Sequence, residues 1–338
     1  METYLATLLT AKGDPDVLRN VQLALPRPGP GELRVRVLAT GVGATDVAMR
    51  RRGYVFAPKL PFVPGYESIG VVDAIGPGVT SFAVGDRVCA LLVFGGYATH
   101  VVRRATDWVK VPSDLTDDAA VVALVLNYVT AYQAIHRVAK LVPGATALVT
   151  GAAGGVGQAL VQLLRAHDVR VIAAAQPRSH ALLRELGAEP IAGRGAPLDH
   201  ATLSLVPAGV DAAFDGIGGH ALSQAIRATR RGGSVVGYGS MGVSGRGATL
   251  RSFFELFFGS RLRGRRGSFY GITALYRRDP RPFHADLPLL FGLLRQGKIA
   301  PRIAVRLPLD QARQAHELLE RGGVDGKIVL VAEAFRGA

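Results

Sequence analysis

The segment Val149–Ala159, VTGAAGGVGQA, carries the clearest chemistry in the chain. A short apolar run ends there in a glycine-rich turn. The turn opens a stretch whose apolar positions, Val156, Leu160, Leu163 and Leu164, fall at helical spacing. In that setting Gly151, Ala152, Ala153, Gly154, Gly155, Val156 and Gly157 bring backbone N–H groups to a pyrophosphate at a helix N-terminus. The run is not a strict G-x-G-x-x-G, because Ala152 stands at the first glycine position. The order strand, turn, helix makes the assignment.

The end of the next strand separates the two nicotinamide dinucleotides. A site for NAD places Asp or Glu there to hold the ribose hydroxyls. This chain reads AAAQPRSH, Ala173–His180, without an acid. Arg178 and Ser179 offer a cation and a hydroxyl to a 2′-phosphate, and Arg194 in AGRG adds charge. An arginine in a loop is more often merely solvated, so the missing acid is the firmer clue. NADP(H) is the expected cofactor.

Alternating strands and helices must position this turn. TALVT, VRVIAAA, VDAAFD and GSVVGYGS read as strands, and HALLRELGA as a helix ending on Gly187. Such alternation implies a parallel sheet covered on both faces. The first third is different. In ELRVRV, Leu33, Val35 and Val37 share one face while Arg34 and Arg36 take the other, the mark of a half-buried strand. From about Gly267 the chain returns to this mixed character, with the amphipathic LDQARQAHELLERG and a last strand, GKIVLVA. The expected architecture is α/β. A β-rich domain from residues 1–122 and 267–338 holds an inserted doubly wound dinucleotide domain, 123–266.

Composition narrows the function classes. A chain of 338 residues, 49% apolar, has enough material for two cores. The single cysteine, Cys89, excludes an intramolecular disulfide and a cysteine-rich metal site. METYLATLLTAKGD lacks the pattern of a signal peptide, and Ala119–Ile135, broken by Asn127 and Thr130, is short for a membrane span. A cytoplasmic protein without a membrane partner is expected. The net charge of +14 could attract a polyanion, yet only Lys12, Lys59, Lys110, Lys140, Lys298 and Lys327 are lysines. The one concentration, RLRGRRG at 261–267, has no aromatic-interleaved RNA-binding motif beside it, so nucleic acid is not the expected partner.

The order of GDPDVLR, PGPGELRVRVLATGV, VPGYESIGVVDAIGPGVTSFAVGDRV, LNYVTAYQAI, GAAGGVG, VDAAFDGIGG and GKIVLV resembles the medium-chain dehydrogenase/reductase superfamily over essentially the whole chain. Within it the chain is most similar to the zinc-independent quinone oxidoreductases, including vesicle-amine-transport-like members. The resemblance implies a GroES-like catalytic domain joined to a Rossmann domain. Zinc-dependent relatives draw ligands from three segments that here supply Gly43 in GVGATD, Tyr66 in GYE, and Leu126. These cannot hold zinc, and the four-cysteine structural lobe is absent. A metal-free protein is therefore expected. Without a Lewis acid, the chemistry implied is reduction of an already electrophilic acceptor, a quinone or an activated C=C bond.

The same resemblance nominates further residues. Tyr54, in RRGYVFAP, aligns with a tyrosine placed beside the substrate, as proton donor or binding group; a packing tyrosine is the alternative. Thr130 is implied to meet the nicotinamide carboxamide, unless its hydroxyl bonds its own helix. Asn127 either polarises a substrate carbonyl or caps backbone. Tyr128 belongs to the core or the pocket wall, and Tyr238, Gly239 and Ser240 lie near the nicotinamide ribose. Gly43 replaces a common asparagine, which enlarges the substrate pocket, and Tyr66 lines it. Asp46 and Glu67 are expected to be structural. SFFELFFG, Ser252–Gly259, walls the pocket or forms the contact of a homodimer. Two rivals stand beside the general reductase: a specialised biosynthetic reductase or cyclase, and a non-enzymatic nucleotide- or RNA-binding, crystallin-like protein.

Overall fold

Fifteen strands organise the chain in a computed structural model that describes all residues except Met1, Arg52, Gly53, Arg194, Ala196, Met241, Ser244 and 333–338. Two compact units emerge. The first comprises Met1–Leu126, Leu287–Arg295 and Pro301–Ala338; the second comprises Asn127–Asp286 and Gln296–Ala300.

The first unit opens with an antiparallel pair, β1 (Thr3–Leu9) and β2 (Leu18–Ala24). Its main sheet is built from β3 (Glu32–Val42), β4 (Glu67–Ile75), β5 (Arg87–Leu91), β6 (His100–Arg104) and β7 (Val109–Lys110), joined by two strands from the chain's end. Along β3 the alternation works as expected: Leu33, Val35 and Val37 are fully buried against Val72, Val88, Ala90 and Trp108. From Ala39 to Val42 the strand is buried throughout, because β4 pairs it on one side and the last strand on the other.

The second unit holds β8 (Thr146–Thr150), β9 (Arg170–Ala175), β10 (Glu189–Ala192), β11 (Val210–Asp215), β12 (Thr229–Gly237) and β13 (Arg266–Phe269). They run parallel in the order β10-β9-β8-β11-β12-β13. The order reverses between β8 and β11, and in such sheets ligands bind beyond the carboxyl ends of the strands at that reversal. Leu148, Ile172, Ala213 and Val235 form the core with Leu222, Ala225 and Ile226 of the helix Gly219–Ala228. The final strands, β14 (Ile303–Pro308) and β15 (Lys327–Val331), return to the first unit, where β15 pairs antiparallel with β3.

Both expected domain boundaries move. The stretch from 267 does not rejoin the chain ends at once. β13 pairs with β12 from Ser234↔Arg266 to Gly237↔Phe269, so the second unit continues to Asp286. As an edge strand with no buried residue, β13 lacks the apolar pattern that would announce it. The first crossing falls after Leu126 rather than 122, inside one helix, Asp118–Ala139. No break in periodicity marks it. Asp117 caps that helix by accepting from the backbone N–H groups of Ala119 and Ala120. The helix is long and apolar enough to cross a membrane by length and composition, but 83% of its most apolar window is buried within the protein.

Candidate functional site

In the second unit, β8 runs directly into the glycine-rich turn and the helix Gly155–Ala166. Gly151 takes the left-handed backbone, φ +64°, that a side chain would resist. This explains why alanine is accepted at 152: the left-handed residue is the one before it. Gly154 is the N-cap. A Cβ on Gly157 would lie 2.3 Å from the Gly151 carbonyl oxygen, so only glycine lets helix and turn pack this closely. The first turn of the helix leaves N–H groups without intrahelical partners, which is the arrangement a pyrophosphate requires.

Asn127 is drawn to this place. A Cβ on Gly155 would meet the Asn127 amide nitrogen at 2.4 Å, so the missing side chain makes room for Asn127. Asn127 is 6% exposed and Thr130 5% exposed, yet neither side chain has a hydrogen-bond partner among the described residues. Thr202 and Thr229, by contrast, bond the carbonyls of Leu198 and Ala225. Thr130 therefore does not follow the self-bonding alternative. Asn127 at the turn, and Thr130 three residues further along the same helix, carry polar groups that a bound dinucleotide could engage. Tyr128 is buried in the core, and burial pushes its phenol well up.

Beyond β9, Arg178 is exposed and makes no ion pair among the described residues. Ser179 is 1% exposed, with its N–H on the Gln176 carbonyl at 3.0 Å. The turn thus presents the guanidinium and packs the hydroxyl beneath it. Of the two, Arg178 is the side chain open to solvent. Arg194 lies outside the described residues. Tyr238 places its hydroxyl on the Thr150 carbonyl at 3.2 Å and its ring over Gly216; Gly239 packs on the Gly216 carbonyl and Ser240 is exposed. All three follow β12 at the carboxyl edge of the sheet. Sequence reasoning missed Asp215. Its fully buried carboxylate accepts from Thr150 Oγ1 at 2.5 Å and from the Gly218 N–H at 2.7 Å, tying β8 to the loop after β11. An acid closing VDAAFD just before GIGG was the available signal. Turn, strand ends and unpartnered side chains fit NADP(H).

The first unit gathers the other nominated residues. Tyr66 is buried, and its hydroxyl stands 2.9 Å from that of the half-buried Tyr54. Beneath them Asp46 accepts from the Gly43 N–H at 2.9 Å and the Gly65 N–H at 3.2 Å. Burial and the neighbouring Glu67 push the Asp46 carboxyl up to about 7, against Lys327 and the two N–H donors. Lys327 Nζ pairs with Glu67 Oε1 at 2.5 Å, both buried, and lies 3.9 Å from where a Cβ on Gly43 would be. The ion pair confirms Glu67 as a tie between β4 and β15. Lys327 itself was not foreseen, although a lysine opening an apolar strand was a visible signal. Buried His316 accepts at Nδ1 from Arg50 Nε at 3.3 Å and so donates from Nε2 to Tyr97 Oη at 3.1 Å. Burial beside Arg50 pushes its imidazole down to about 3. Gly43, Tyr66 and Leu126 offer no metal ligand, and no group of three or more His, Cys, Asp or Glu among the described residues could hold a metal.

A Rossmann strand order, a dinucleotide turn and a separate β-rich unit define a nicotinamide-dependent dehydrogenase of two-domain build. Comparisons with known proteins agree. The alcohol dehydrogenase GroES-like domain profile matches residues 29–113, and the zinc-binding dehydrogenase profile matches 186–330. The chain is 31% identical to a human synaptic vesicle membrane protein VAT-1 homolog, over 93% of this chain and 82% of that one. It is also 31% identical to a 2-haloacrylate reductase of a Burkholderia species, over 98% and 99%. The solved structure of mycobacterial Rv1454c complexed with NADPH superposes with a TM-score of 0.82 at 28% identity, covering 97% of this chain and 99% of that one. The chain belongs to the medium-chain dehydrogenase/reductase superfamily, in its zinc-independent quinone oxidoreductase branch.

Proposed function

We propose that the protein is an NADPH-dependent, metal-independent reductase of a quinone or an α,β-unsaturated carbonyl compound. The observation that carries this reading is the phenol pair, Tyr54 and Tyr66 at 2.9 Å, near the Glu67–Lys327 ion pair, with Tyr66 in the segment from which zinc-dependent relatives draw a ligand. An ammonium and two phenols cannot bind zinc, but a phenol can supply the proton that reduction of an enone consumes. When bound, NADPH supplies the hydride. This chain's own residues do the rest. The turn Gly151–Gly157 receives the pyrophosphate, Arg178 the 2′-phosphate, and Asn127 and Thr130 the unpaired polar groups of the nicotinamide end. Tyr54 holds the proton at its hydroxyl. The 2-haloacrylate reductase and the NADPH complex among the relatives support the same assignment.

A second reading, a reductase dedicated to one biosynthetic intermediate, draws on Gly43. Nothing lies closer than 3.8 Å to where a Cβ there would be, so the position is open to a bulkier ligand. The test is turnover. NADPH oxidation is measured with a panel of 1,4-benzoquinone, cyclohex-2-enone and 2-chloroacrylate, and NADH is run in parallel. Turnover of at least one acceptor with preference for NADPH is expected. Tight NADPH binding without turnover of any would favour the dedicated enzyme.

A further inference from the structure

Asp215 closes β11 at the strand reversal where the dinucleotide binds, yet the reductase reading gives it no part. It is 1% exposed, and burial pushes its carboxyl up. A residue that only filled space there would not carry the cost of a buried acid. Donors on two sides offset that cost. The Thr150 hydroxyl lies at the end of β8, one residue before the left-handed Gly151. The N–H groups of Ile217 and Gly218 belong to the loop after β11. One carboxylate thus fastens that loop to the root of the dinucleotide turn.

The same loop anchors the next one. The Tyr238 N–H donates to the Asp215 carbonyl at 2.8 Å, and the Gly242 N–H to the Ile217 carbonyl at 2.8 Å. Ile217 also reaches back to the turn, its Cδ1 lying 3.1 Å from where a Cβ on Gly151 would be. Strand order decides which end of the cofactor these loops meet. β9 flanks β8 on one side, while β11 and β12 follow on the other. With the pyrophosphate on the turn after β8 and the 2′-phosphate toward Arg178 beyond β9, the nicotinamide end runs out over the loops after β11 and β12.

We propose that Asp215 is a positioning residue for the nicotinamide half of NADP(H): its carboxylate holds the loop after β11 against the turn, and through it the loop after β12. This rests on the NADP(H) site and on the 2′-phosphate lying toward Arg178, not on Tyr54 or the identity of the acceptor. Asp215→Asn keeps the shape but sets an amide NH2 against one of the donors. Thr150→Val removes the hydroxyl and leaves the carboxylate. Each full-length variant is titrated with NADPH and with adenosine 2′,5′-bisphosphate, which lacks the nicotinamide half. NADPH should bind ~10-fold more weakly to both variants, with the bisphosphate within ~2-fold of wild type. Thr150→Ser, which keeps the hydroxyl, should recover NADPH binding. If Asp215→Asn does not fold, Thr150→Val and its serine rescue decide the matter. Wild-type NADPH affinity in the folded variants overturns the proposal. Equal weakening of both ligands overturns it too, since that marks a general loosening of the fold. Arg178→Ala checks the orientation separately, because it should weaken the bisphosphate where Asp215→Asn does not. An unchanged bisphosphate there removes the orientation and the assignment of Asp215 to the nicotinamide half. A wild type that binds neither ligand sinks the NADP(H) site itself.

Discussion

Tyr66 shows what a single residue type can and cannot say. Its identity, with Gly43 and Leu126, removes zinc chemistry on ligand grounds alone. Its partnership with Tyr54, twelve positions earlier, depends on how two loops fold and has no sequence signature. Asp46 is a similar case. In sequence it is one acid in GVGATD; in the structure it is fully buried, with its carboxyl raised from 3.8 to about 7. A raised carboxyl contributes stability while protonated, fully below about 4, and loses it as pH rises through about 7. Relative to Asp46→Asn, the wild type should therefore lose up to ~4 kcal/mol of unfolding free energy between those limits. Urea titrations of both proteins at a series of pH values measure it. Parallel curves would show that Asp46 is not the group responsible.

Among elements, the strand–turn–helix of the dinucleotide site was the most legible, because its glycines answer local demands: a left-handed φ at Gly151 and close packing at Gly157. The strand β9 and the turn that follows it were legible too, since the test there is the presence or absence of one acid. The structure adds that Arg178 is presented and Ser179 buried. Arg178→Ala should weaken NADPH binding by ~10- to 100-fold, the loss of one charge-assisted contact, and leave NADH binding nearly unchanged. Fluorescence titration with both dinucleotides reads this directly, and an unchanged preference would remove Arg178 from the 2′-phosphate site. The strand β13 was not legible. Its four residues, RGSF, none of them buried, follow no period that a sheet would impose.

At the scale of the whole molecule, the arginine run 261–267 and the aromatic run before it find different uses. Arg263 pairs with Glu255 at 3.2 Å, Arg265 binds the Thr229 carbonyl, and Arg266 reaches Ser234 at 3.2 Å, so much of that charge has partners within the chain. Leu250, Phe254, Phe258 and Leu262, at four-residue intervals, are 58% to 84% exposed, and Phe254 stacks on Phe258 at 5.0 Å. Beside them β13 ends its sheet, paired only by β12 among the described residues. An open strand edge flanked by an apolar stripe suits a second copy of the same surface. We propose a homodimer through this face. Light scattering should give twice the chain mass for the wild type and a monomer for Phe254→Glu combined with Phe258→Glu; a monomeric wild type would dismiss it. The family, the cofactor class and the lack of zinc ligands were readable in the chain because each depends on residue types at short spacing. The Tyr54–Tyr66 bond, the Glu67–Lys327 pair across 260 positions and the return of the chain to its first unit at Leu287 were not. Each joins residues whose nearness arises only when distant strands pair, and no local pattern records that.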